Sequence, residues 1–234
     1  MAKINFIITA AFVLLIIAST SFADGKYQWK LADTEDGCQI YTSVVAGRDY
    51  VASKATCVIP ARIEVIGMVL RDIANYPAWM QDCKETKILK VVDDVNDVFV
   101  FWFRQHITLL TDRDMVIKSK TIISTEKGQN LIFADATNEI PYDPGKGYVR
   151  MPSFHSWFIL EWIDREHTRV TFMIDPDLGK GIPIGIANNT IKSTPFKTLK
   201  KMTKMVKLSK YVESAKISKY NKFAEEYVKA GHKQ

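Results

Sequence analysis

The sequence predicts an α+β fold over residues 24–209, an antiparallel β-sheet curling around one long C-terminal helix. Three observations carry that expectation. From Lys84 to Asp175 the chain is a run of strand-like segments, separated by connections such as Asp93–Asp97 and Glu126–Gly128 whose compositions suit hairpins. After Pro183 the period changes: Ile184, Asn188, Ile191, Pro195, Leu199, Met202 and Val206 fall three or four apart and form one helical stripe. Between them, Val98–Phe103 reads V-F-V-F-W-F, without the alternation of a strand that shows one face to water. Phe99, Phe101 and Phe103 share one face of that strand, and Val100, Trp102 and Arg104 share the other.

The elements follow in chain order. Residues 1–23 stand outside the core. Lys3 is a positive start, Ile4–Ala18 an apolar run, and Ser21-Phe22-Ala23 a small-x-small site before Asp24. The expectation is a signal peptide cleaved after Ala23 and export to the periplasm. An uncleaved anchor is the alternative, because Ile4–Phe22 approaches the length of a membrane span. A short segment at Lys26–Ala32 then leads into strands at Gly37–Val45 and Tyr50–Ile59, joined by a turn near Gly47-Arg48. This hairpin sets Cys38 roughly opposite Cys57, and in an oxidising compartment a disulfide between them is the working hypothesis. Cys83 is left over and reads as a small buried hydrophobe.

Ala61–Ile73 carries Ile63, Ile66, Val69, Leu70 and Ile73 at helical spacing, with Pro60 where a first turn tolerates it. Pro77 should end this helix and drive Tyr76 out of the helical region. Tyr76, Trp79 and Met80 are too large and apolar for idle loop residues, so Asn75–Glu85 reads as a packed corner or as the rim of a cavity. Strands follow at Lys84–Val92, Val98–His106, Met115–Ser124, Gln129–Ala136, Tyr148–Met151 continuing through Phe158–Ile163, and Thr168–Asp175. The chain closes with helices at Pro183–Ser209, kinked where Pro195 removes a backbone donor, and Glu213–Ala230.

The net charge of +6 conceals an asymmetry. Residues 192–234 hold 12 lysines against 3 glutamates, whereas residues 24–191 hold 19 Lys and Arg against 23 Asp and Glu. A mildly acidic body therefore carries a basic tail, with 210–234 as a helical extension. Such a tail is either a solvated helical face or one drawn to an anionic membrane surface. Nucleic acid is not expected as the partner of an exported chain. Catalytic signals are absent too. His106, His155, His167 and His232 lack the spacing of a metal site, and no two cysteines have zinc-ligand spacing. There is no G-x-S-x-G elbow, and Gly179-Lys180-Gly181 lacks the context of a phosphate-cradling loop. Neither cofactor nor metal is expected.

One resemblance spans about residues 35–208. Tyr76-Pro77-x-Trp79-Met80-x-Asp82-Cys83-Lys84-Glu85 is similar to the helix-to-strand signature of bacterial START (steroidogenic acute regulatory protein-related lipid transfer) domains. Asp112-Arg113-Asp114, Val149-Arg150-Met151 with Trp157 and Leu160-Glu161, and Asp175-Pro176 leading through Gly181-Ile182-Pro183 fit the same family in the same order. Two departures, at Thr108-Leu109-Leu110 and at Ser153-Phe154-His155-Ser156, bear on ligand identity more than on fold.

The resemblance implies a helix-grip fold enclosing an apolar cavity, with candidate ligand-binding positions at Trp102, Arg104, Arg113, Trp157, Ile184, Asn188, Ile191, Pro195 and Leu199. An arginine turned into such a chamber is costly to bury unless an acidic or ligand partner meets it. The expected function is a non-enzymatic, monomeric, periplasmic protein that binds or transfers a lipid or other hydrophobic molecule. The lysine-rich C-terminal helix would touch a membrane surface transiently. Two alternatives stay open: an enzyme on the same scaffold, of the cyclase/aromatase or hydrolase kind, and a membrane-surface interaction module.

Overall fold

A computed structural model describes residues 26–107 and 110–231. The expected signal peptide, Thr108, Leu109 and His232 lie outside the described residues. The strands are β1 Lys30–Glu35, β2 Cys38–Val44, β3 Val51–Ile59, β4 Cys83–Asp93 and β5 Val98–Gln105. They continue with β6 Asp112–Ser124, β7 Gln129–Ala136, β8 Tyr148–Arg150, β9 Ser153–Trp162 and β10 Thr168–Asp177. They build one sheet in the order β1-β2-β3-β10-β9-β7-β6-β5-β4, antiparallel throughout except that β8 pairs parallel to β6. The sheet is open, with β1 and β4 at its ends. Helix α1 spans Ile63–Arg71, α2 Ile184–Met205, α3 Ser209–Lys216 and α4 Lys219–Lys229. Helix α2 packs across β3, β10 and β2, while α3 and α4 pack on α1.

Local chemistry explains the departures from expectation. The N-terminal segment forms a strand, β1, although every residue of K-L-A-D-T-E is exposed. Its ladder with β2 holds it, with a register shift between Leu31 and Asp33, so no hydrophobic alternation announces it. The continuous strand expected from Tyr148 divides into β8 and β9 because Pro152 lacks the N–H a ladder needs. The final helix divides into α3 and α4, and the hydroxyl of Ser218 caps the second by accepting from Asn221 N.

Pro77 does not expel Tyr76 from helical geometry. A 3₁₀ segment, Ile73–Ala78, follows α1 and contains both residues. Burial wins over the local bias. The Tyr76 hydroxyl donates to Leu70 O at 2.6 Å, and its ring meets Trp79 and Phe101 edge-on. Pro195 likewise sits inside an unbroken α2. Cys38 and Cys57 are disulfide-bonded, and Cys83 is a buried free thiol that burial pushes up to about 12.

Candidate functional site

The pleat of β5 decides where a cavity can form. Phe99, Phe101 and Phe103 turn inward, and Val100 and Trp102 turn outward into a separate small cluster with Val116, Tyr142 and Tyr148. On the inward side the sheet and α2 enclose a cavity of about 70 Å³, room for a handful of water molecules. Phe101 and Phe103, with Met115 and Ile117 of β6, form one wall. Phe158 of β9 and Phe172 of β10 form another, their rings stacked at 4.0 Å. Ile191, Thr190 and Thr194 of α2 make the roof, and Tyr76, Met80 and Gln81 of the corner close one side. Every lining residue is uncharged.

Helix α2 is fastened by few, long bonds where it crosses the corner. The Thr194 hydroxyl shares its one proton between Thr190 O at 2.8 Å and, more weakly, Asp82 Oδ2 at 3.3 Å. Gln81 N donates to the hydroxyl of Thr198 at 3.3 Å. The loop before α2 is held more firmly. Tyr50 donates to Gly179 O at 2.8 Å, and Arg113 donates to Leu178 O, Lys180 O and Thr111 O. Gly181, at φ +84°, then turns the chain between this clamp and the helix.

The structure brings one of the nine expected ligand positions into the cavity wall. Ile191 lines it. Trp102 lies on the outer face of β5, where its indole N–H donates to Asp114 Oδ2 at 2.9 Å. Arg104 stands on that same face, bonded to Asp112 at 2.6 Å and set over the Tyr148 ring. Arg113 is inward and 2% exposed, but its hydrogen-bond partners among the described residues are the backbone carbonyls of Thr111, Leu178 and Lys180 and no carboxylate. Burial lowers its pKa, and the nearby Tyr50 and Asp112 offset that only in part. Trp157 precedes the lining residue Phe158 and so faces outward.

On α2, Ile184 is 51% exposed, and Asn188 is spent on the fold, accepting from Val51 N at 3.0 Å. Pro195 and Leu199 are buried outside the cavity wall. The physical reason is shared. Alternation and helical stripe identify which residues share a face, and packing alone says which face meets the void. Tyr76 and Met80 lie where the corner was read as a packed turn or a cavity rim, and strand parity pointed to the Phe101–Phe103 face as one of two; Phe158 and Phe172 are the lining residues that were missed.

The charged cluster around β6 is structural. Asp112 binds Arg104 and His106, and Asp114 binds Arg150 at 2.7 Å. Burial opposes ionisation of Asp112, yet the bonds from His106 and Arg104 hold its carboxyl below the ordinary range. Among the described residues, no group of His, Cys, Asp and Glu is arranged to hold a metal ion. No helix among them is long and apolar enough to cross a membrane.

Residues 22–211 match the model of the START domain family. An uncharacterized protein of Pseudomonas aeruginosa is 29% identical over 174 residues, which cover 74% of this chain and 83% of that protein. Among solved structures, a fragment of the STAR-related lipid transfer protein of Xanthomonas axonopodis superposes with a TM-score of 0.68 at 25% identity, covering 77% of this chain and 99% of that one. Human StAR-related lipid transfer protein 5 superposes with a TM-score of 0.66 at 16% identity, covering 76% and 86%. The second likeness is one of fold.

Proposed function

Because this chain belongs to the START domain family, we propose that it is a non-enzymatic binding or transfer protein for one lipid or lipid-like hydrophobic molecule, acting as a monomer in the periplasm. The observation that carries the reading is the cavity wall, which mixes phenylalanine, methionine and isoleucine with a few hydroxyls and amides and contains no charge. Each methylene exposed to water costs about 0.8 kcal/mol, so a chain of roughly sixteen carbons opposes crossing water by on the order of 12 kcal/mol. An apolar chamber removes that opposition.

A cavity of about 70 Å³ is too small for such a chain, so loading requires the roof to move outward. The long bonds from Thr194 and Thr198 to the Gln81–Asp82 corner support α2 as the moving part, with Gly181 as its hinge. Exposed Ile184 and Ile186 at the start of α2, exposed lysines 197, 201 and 204 along it, and exposed Lys207 just past its end suit contact with an anionic bilayer. The apolar start of the sequence with its small-x-small site supports export. The scarcity of titratable groups in the cavity favours binding over catalysis.

The test is direct. Protein purified without detergent is extracted with organic solvent, analysed by mass spectrometry, and offered lipid from vesicles containing phosphatidylglycerol. The expected outcome is one co-purifying or acquired lipid per chain, with vesicle contact released by raised salt. Protein that carries none and takes up none overturns the reading.

A further inference from the structure

Beyond the apolar cavity lies a smaller one of about 20 Å³, and Tyr76, Ser119 and Ile132 line both. Its character is different. Asn130 enters its wall from β7, on the inward side it shares with Ile132 and Ala134. This residue is 0% exposed, and neither its amide nitrogen nor its amide oxygen has a hydrogen-bond partner among the described residues. Ser119 and Thr121 of the neighbouring strand β6 line the same space. A wholly buried amide with both atoms unpaired destabilises the ligand-free protein, and buried polar groups of this kind are rare enough to need an explanation.

The compartment is closed by an element beyond the residues that match the family. Tyr220 of α4 lines it, and its ring lies so close to Gly67 of α1 that a Cβ there would come within 2.9 Å. Its hydroxyl donates to Asp97. Asp97 also receives Arg71, and Lys219 at 2.7 Å, so its charge is met within the fold. Arg71 is further occupied by Asp94 at 2.6 Å. The ions at this end are therefore committed to one another, and what remains for a ligand is a neutral donor–acceptor pair.

We propose that this compartment is the subsite for the hydroxyl of an alcohol-type ligand whose apolar body fills the main cavity, with Asn130 as the residue that recognises it. The inference rests on the main cavity being the ligand chamber and adds the chemistry of the ligand. An amide both donates and accepts, as a hydroxyl does. An ether only accepts, and a carboxylate would bring a buried charge to a place without a free cation.

The test compares dodecan-1-ol with dodecyl methyl ether as displacers of Nile red from the full-length protein, in wild type, Asn130→Leu and Asn130→Ala. Wild type should prefer the alcohol by about tenfold, the scale of one buried hydrogen bond. Both variants should lose that preference while the ether binds within about twofold of wild type. Asn130→Leu should also melt at a higher temperature, because it removes an unpaired amide. Equal affinity of the two probes in wild type overturns the proposal, and so does a preference that survives in both variants. A lowered melting temperature with equal loss of both probes assigns Asn130 to structure and overturns it as well. Loss in Asn130→Leu alone reveals a steric block and overturns it. Failure of wild type to take up Nile red or either probe is a separate result, which removes the ligand-chamber reading itself.

Discussion

At the scale of single residues, Asp175 shows how a polar group is afforded inside this core. It is 1% exposed and accepts from Lys26 at 2.7 Å, Tyr27 at 2.7 Å and Arg48 at 2.5 Å. Burial alone would raise its pKa, but these bonds outweigh burial and the carboxyl is held below its ordinary value. A depressed folded-state pKa means stability that is present above about pH 4, the unfolded value, and lost as pH falls through the folded one. Asp175→Asn should therefore cost about 3 kcal/mol at pH 7 and much less at pH 2, read from urea denaturation at both. Equal losses at the two values would show that shape, not charge, is what the site needs. Lys26 and Tyr27 precede β1, so this carboxylate ties the segment before the first strand to β10.

At the scale of elements, α2 combines a helix made for burial with fastenings made to yield. Ile191, Leu199 and Met202 are each 1% exposed or less, yet the polar ties to the corner are only two, at 3.3 Å. Thr194→Val should remove one tie at about 1 kcal/mol and speed lipid exchange between protein and vesicles severalfold, measured by fluorescent-lipid transfer. An unchanged exchange rate would place the moving part elsewhere. Helix α2 was legible from its three-or-four-residue stripe, because burial of one face is what makes such a stripe. The stripe did not say that Ile184 and Asn188 stand outside the roof. Those two lie beyond the end of the covered face, where Ile184 meets solvent and Asn188 bonds the start of β3.

At the scale of the whole molecule, the sheet is open, and a covalent link and a C-terminal cover compensate. The Cys38–Cys57 disulfide, 19 residues apart, ties β2 to β3 beside the open end formed by β1. Replacing both cysteines by alanine should lower stability by about 3 kcal/mol, the entropy expected for a loop of this length, read as a reduced urea midpoint. A midpoint unchanged from wild type would show that the hairpin is ordered without the bond. At the other end, α3 and α4 pack on α1, and Tyr211 bonds Asp72 and Asn75 behind the corner. The extension is thus part of the folded body, with Tyr220 inserted into it, in addition to carrying positive charge.

The sequence by itself determined the α+β class, the order and extent of most strands, the long last helix and the family, since each follows from local periodicity or motif, while it set Cys38 opposite Cys57 only as a hypothesis that the structure bears out. Only the tertiary structure decided which face of β5 meets the cavity, that Arg113 clamps a loop by its carbonyls, and that Asn130 stands unpartnered beside it. The reason is physical. A side-chain period reports that two faces differ, whereas the void, the orphaned amide and the choice of face arise where strands distant in sequence are brought together by the curl of the sheet.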